Sequence, residues 1–178
     1  MQVHLRCETY FCIEWRMKSK RIFIGSLIAA ASMIIVMQSC DDSKKGECGQ
    51  VNISQSGGDD SHNNGQNCMS CHVSGGTGEG CFVVAGSVYN SAGNSPQGSG
   101  VIRLYTGPNG TGTIAAELPV DSKGNFYTTE SVNFGSTGLY PSYTNNVGQT
   151  KYMGSFTGNG QCNSCHGVVT GKITSPWF

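Results

Sequence analysis

Two short stretches of this 178-residue chain hold residues that can do chemistry together. Cys68-Met69-Ser70-Cys71-His72 and Cys162-Asn163-Ser164-Cys165-His166 both read C-x-x-C-H. At this spacing two thiols can each add to one vinyl group of the same porphyrin. The histidine that follows then lies under the ring, where its imidazole can bind the iron. One such pentapeptide can be accidental. Two, each with serine in the third position, set the expectation of two covalently bound c-type haems. Cys68, Cys71, Cys162 and Cys165 would be the attachment residues, and His72 and His166 the proximal ligands.

The opposite face of each iron needs a ligand of its own. Past Cys40 the chain has three histidines, His62, His72 and His166, so at most one iron can take two histidines from this chain. His62 is either a distal ligand or a solvated loop histidine. Met153 is a distal candidate for the other iron, where a thioether would raise the reduction potential. Its alternative role is to fill a gap in a sheet core. Met69 lies inside the attachment loop and is badly placed to reach the far face, and a five-coordinate iron is a further arrangement. Cys48 and Cys81 are left over. In an oxidising compartment they can form a disulfide that pins the preceding segment to the first strand; the alternative is a lone buried thiol at Cys81.

The elements that must position these groups read as strands. Phe82–Tyr89 is β-branched and aromatic, and Val101–Tyr105, Ile114–Val120 and Phe126–Val132 follow between glycine-rich turns. Leu139-Tyr140 and Lys151–Met153 lie in further candidates. Short strands at this spacing predict a mainly β protein, a small antiparallel β-sandwich over residues 81–160. The first attachment segment, 67–80, precedes it, and the second, 161–178, follows it with the tail. Domain termini often lie close together, so the two sites are expected at one end of the sandwich.

Three segments carry a resemblance: Ala85-Gly86-Ser87-Val88-Tyr89 with its glycine-rich turn, Val101-Ile102-Arg103-Leu104-Tyr105, and Asp121-Ser122-Lys123-Gly124-Asn125-Phe126-Tyr127. Together, over roughly residues 82–132, they resemble the carboxypeptidase-regulatory or transthyretin-like β-sandwich. The resemblance implies a structural module with no catalytic residues to carry over. With the two C-x-x-C-H motifs, the whole chain resembles an exported c-type cytochrome.

Export is written at the front. Met17–Arg21 is a basic start, Ile22–Met37 is apolar, and Met37-Gln38-Ser39-Cys40 closes the segment. Residues 17–39 resemble a bacterial lipoprotein signal peptide, with Cys40 as the lipidated residue; an uncleaved membrane anchor is the alternative. Residues 1–16 fit no targeting pattern and are expected to be an over-extended start, so Cys7 and Cys12 carry no weight. Residues 40–66 are polar and glycine-rich and are expected to form a flexible tether. The expected location is the bacterial cell envelope, lipid-anchored, at the outer membrane on its periplasmic or surface face.

The charge balance narrows the partners. From Cys40 onward there are six basic and nine acidic residues, with no basic run, so nucleic acid is not an expected partner. The membrane, through the N-terminal lipid, and other redox proteins of the envelope are. The leading expectation is an electron carrier and not an enzyme. A second reading is a structural or adhesive surface lipoprotein whose paired C-x-x-C motifs bind zinc or form disulfides. A third, peroxidase-like activity at an open iron, has no distal arginine or histidine signature behind it.

Overall fold

A computed structural model describes residues 46–177 of the chain. The expected start, signal peptide and lipidation site (1–16, 17–39 and Cys40) lie outside the described residues.

Among the described residues eight strands form two sheets. They are β1 (Val84–Tyr89), β2 (Val101–Tyr105), β3 (Ile114–Pro119), β4 (Asn125–Thr128), β5 (Tyr140–Thr144), β6 (Thr150–Tyr152), β7 (Gly160–Gln161) and β8 (Ile173–Thr174). The first sheet runs β4-β1-β7, with β8 also on β1; the second runs β3-β2-β5-β6. Pairing is antiparallel except for β7 and β8, which both run parallel to β1. The protein is mainly β, and its two mostly antiparallel sheets are those of a small β-sandwich.

Alternation explains the core. On β2 the apolar Ile102 and Leu104 point inward while Val101, Arg103 and Tyr105 are half-buried. They pack against Val84 and Val88 of β1, Leu118 of β3 and Phe126 of β4. Each such side chain taken fully out of water contributes about 1.5–3 kcal/mol. The turn before β4 is fixed by Asp121, whose Oδ1 accepts from the backbone N–H of Lys123 and of Asn125, each at 2.9 Å. Gly124 in this turn has φ +82°, and a Cβ there would sit 2.8 Å from the Val88 carbonyl oxygen. Only glycine satisfies both conditions.

The described part of the segment expected as a flexible tether is not free. Ile53 bridges to Thr128. Ser54 N–H donates to the Tyr127 carbonyl at 2.9 Å, and Thr129 N–H to the Asn52 carbonyl at 3.0 Å. The Ser54 side chain is fully buried, donating to Pro119 O at 2.7 Å and accepting from Tyr127 N–H. Residues 52–54 thus extend the sheet along the outer edge of β4. Polar composition hides this, because the segment is held by backbone pairing and hydroxyls instead of apolar burial. A disulfide between Cys48 and Cys81 pins the same segment to the residue before Phe82.

Candidate functional site

The two C-x-x-C-H segments share the same hydrogen-bonding pattern. Each makes a single helical turn, a 3-10 turn at Cys68–Ser70 and α1 at Cys162–Cys165. The serine in the third position donates back to the carbonyl before the first cysteine: Ser70 to Asn67 at 2.7 Å and Ser164 to Gln161 at 2.6 Å. The histidine N–H then bonds to the carbonyl of the first cysteine, at 3.0 Å for His72 and 2.9 Å for His166. The turn brings both thiols and the imidazole of each motif to the same cleft. Cys68, Cys71, Cys162 and Cys165 all carry free thiols.

Both histidines are oriented in the same way. His72 Nδ1 lies 2.8 Å from the Glu79 carbonyl oxygen, and His166 Nδ1 lies 2.8 Å from the Gly171 carbonyl oxygen. A backbone carbonyl can only accept, so in each ring Nδ1 carries a proton and Nε2 is the nitrogen that faces away from that bond. Histidines that bind metals are held by this kind of outer hydrogen bond. His72 is also clamped on its faces. It stacks on Phe82 with ring centroids 4.0 Å apart and planes 6° apart, and Phe82 in turn stacks on Tyr127 at 4.8 Å. On the other side Gly78 closes in: a Cβ there would sit 2.7 Å from His72 Cγ and Nδ1.

Each motif faces its own cleft. The first, about 630 Å³, is lined by Cys68, Cys71 and His72 together with His62, Phe82 and Tyr127. The second, about 340 Å³, is lined by Cys162, Cys165 and His166 together with Met153, Tyr143 and Ile102. Both fall in the size range of cofactor pockets. Asn125 and Tyr127 of β4 line the first, and Phe126 between them lines the second. Successive side chains of a strand point to opposite faces, so the clefts lie on opposite faces of the β4–β1 sheet.

The two segments nevertheless meet beside β1. Strand β7 pairs with Val84 and Ala85, and β8 pairs with Val88 and Tyr89, so the second motif is an excursion between two contacts on one edge. Asn163 fills the gap. Its Oδ1 accepts from the Ser87 backbone N–H at 3.0 Å, as a strand carbonyl would. Its Nδ2 donates to Ser87 Oγ at 2.9 Å and to the Gln66 carbonyl at 2.8 Å, just ahead of the first motif. Ser87 Oγ continues to Asn125 Oδ1 at 2.6 Å, and Asn125 Nδ2 reaches Ser61 Oγ at 2.9 Å. A buried polar chain therefore ties one motif to the loop that carries the other. Gly86 permits the approach, since a Cβ there would lie 2.8 Å from the Cys162 Cβ.

Burial pushes the Cys162 thiol up to about 12, with the nearby Cys68 adding to the effect. The Cys68 thiol is also raised, first by burial. Both first cysteines are thus neutral thiols at ordinary pH. A zinc site built from both pairs would need four thiolates around one ion. As folded, the pairs line separate clefts, and among the described residues no group of three His, Cys, Asp or Glu is placed to hold a metal ion.

The residues could hold an iron porphyrin in each cleft. Two thiols, an oriented imidazole and a further side chain with a donor atom share each space. His62 and His72 have ring centroids 5.8 Å apart. Both imidazoles therefore reach the same part of the first cleft. Half-buried Met153 shares the second cleft with His166. Sequence reasoning missed Asn163, Phe82 and Gly78. An asparagine inside C-x-x-C and a phenylalanine at a strand start carry no signal until the sheet register is known. No protein-family model, curated protein or solved structure matches the chain.

Proposed function

We propose that this chain is a dihaem c-type cytochrome that carries electrons in the bacterial envelope, held there by a lipid on Cys40. The observation that supports it most is the repeated geometry. Two segments far apart in sequence share one hydrogen-bonding pattern, and each presents two free thiols and an imidazole whose Nδ1 is tied to a carbonyl. When bound, a haem c supplies reversible one-electron chemistry.

The chain's own groups have separate tasks in this reading. Cys68 with Cys71, and Cys162 with Cys165, provide the thioether links. His72 and His166 would hold the iron through Nε2, and His62 in the first cleft and Met153 in the second would supply a further donor atom. The Glu79 and Gly171 carbonyls hold the two imidazoles in rotation. The sandwich acts as a rigid spacer, and no side chain has to move for the electron to pass. The partners in this reading are other envelope redox proteins met in small transient contacts. Val168 and Val169, 75% and 78% exposed just after His166, offer apolar surface for such a contact.

The test is a count of covalent haem. The full chain, expressed with its own signal in a bacterium that matures c-type cytochromes, is denatured and assayed as the pyridine haemochrome. Two haems per chain are expected. None, with zinc or disulfides at the four cysteines instead, would overturn the proposal.

A further inference from the structure

We infer that the two sites are tuned to different reduction potentials, the second above the first, so that a single electron on the protein rests at the second site. The inference rests on the dihaem reading above. Three features of the chain point the same way.

The first is the available ligand. His62 joins His72 in the first cleft, whereas among the described residues the second has no further histidine and Met153 is the thioether that lines it. A thioether favours the reduced iron relative to a second imidazole. The second feature is polarity. Ile102, Phe126, Pro141, Tyr143 and Ile173 line the second cleft, which lies between the sheets. The first is lined instead by Asn52, Gln55, Ser61, Asn63, Gln66 and Asn67. Apolar surroundings disfavour whichever redox state carries more net charge on the iron, which is the oxidised one.

The third feature is fixed charge. Asp60 and Glu79 line the first cleft, and no lysine or arginine does. Buried Asp121 stands close enough to act on Cys68 and Tyr127 there. A cation, Lys123, stands beside it, with its Nζ donating to the Ser61 carbonyl at 3.0 Å. The second cleft has the reverse: among the described residues Lys151 and Lys172 line it and no Asp or Glu does. Lys151 Nζ bonds Thr174 Oγ1 at 2.8 Å, which links β6 to β8. Lys172 Nζ bonds the Gly93 carbonyl at 3.0 Å and lies 4.1 Å over the Tyr89 ring. Anionic neighbours stabilise an oxidised centre and cationic neighbours a reduced one, more strongly in a half-buried site than in water.

The experiment is a spectroelectrochemical titration of the holoprotein, after its haem content has been counted. Two haems and two separated one-electron waves are expected. The higher wave should survive alone in the C68A/C71A variant, and the lower alone in C162A/C165A. Because these variants can fail to fold, the charges are tested in the intact protein as well. K151Q/K172Q should lower only the higher wave, and D60N/E79Q should raise only the lower one. Two haems with one unresolved wave, the reverse order in the single-site variants, or charge variants that move both waves equally would overturn the inference and leave the dihaem reading standing. Fewer than two haems would overturn both.

Discussion

Phe126 and Tyr127 are consecutive residues of β4 that line different clefts. Gly86 and Ser87 of β1 pair with Phe126 and Asn125 and divide in the same way, one toward Cys162 and the core, the other toward the polar network. A single sheet is therefore the partition between the sites. Tyr127→Leu should disturb the Phe82–His72 stack and alter the visible spectrum of the first site alone. Phe126→Ala should empty the core beside the second and cost about 3–5 kcal/mol. Urea denaturation and site-resolved spectra of the two variants would check this. Equal spectral changes at both sites in either variant would contradict it.

Asn163 stands in for a missing strand residue. Asn163→Ala removes both the acceptor of the Ser87 N–H and the donor to the Gln66 carbonyl, leaving the buried Ser87 N–H without a partner. A loss of about 1–3 kcal/mol is expected. Amide hydrogen exchange should speed up at Ser87 most of all, because its N–H is released directly. If Ser87 exchanged at the wild-type rate, the side chain would not be acting as a ladder partner.

The Cys48–Cys81 disulfide closes a loop with a sequence separation of 33, and the first motif lies wholly inside it. Chain-entropy arguments put its contribution at about 3–4 kcal/mol. C48S/C81S should lower the denaturation midpoint accordingly and loosen residues 52–54 from β4. Treating the double variant with a reductant should change nothing further.

Cys162 sets a limit at alkaline pH for the haem-free protein. Its folded value of about 12 lies above the ordinary 9.0, so the native state keeps its proton longer than the unfolded chain. The stability this contributes is complete below pH 9 and is lost as pH rises from 9 to 12. Unfolding free energy of the haem-free protein should therefore fall across that window, and Cys162→Ala should flatten the fall. A decline of equal slope in the variant would assign the effect elsewhere.

Much of the fold could be read from periodicity. β1 to β3 fall within the β-branched stretches, and the Asp121–Asn125 turn falls where glycine and asparagine mark it. The short strands were harder to see. Gly160-Gln161 and Ile173-Thr174 become strands only because β1 offers an edge, and two residues carry no period. Residues 52–54 were hidden for a related reason: their pairing with β4 depends on Ser54 hydroxyl contacts that no hydropathy pattern reports. At the site, the six motif residues stood out by spacing. The cleft that each shares with His62 or Met153 is a product of sheet register, as is the division of the two sites by one strand.

The two parallel contacts on β1 also dictate an order of events during folding. Antiparallel β4 lies much closer along the chain, so it can meet β1 early, but the opposite edge waits for residues near the C-terminus. Contacts between such distant segments form slowly. Until they do, an unpaired edge of the central strand is available to any other extended chain. Cys162 and Cys165 meanwhile sit on a loose end where thiols are easy to reach. Once β8 docks, access narrows and the edge is covered. Folding chains should thus be most prone to aggregate, and their second cysteine pair most open to modification, in the interval before β7 and β8 dock.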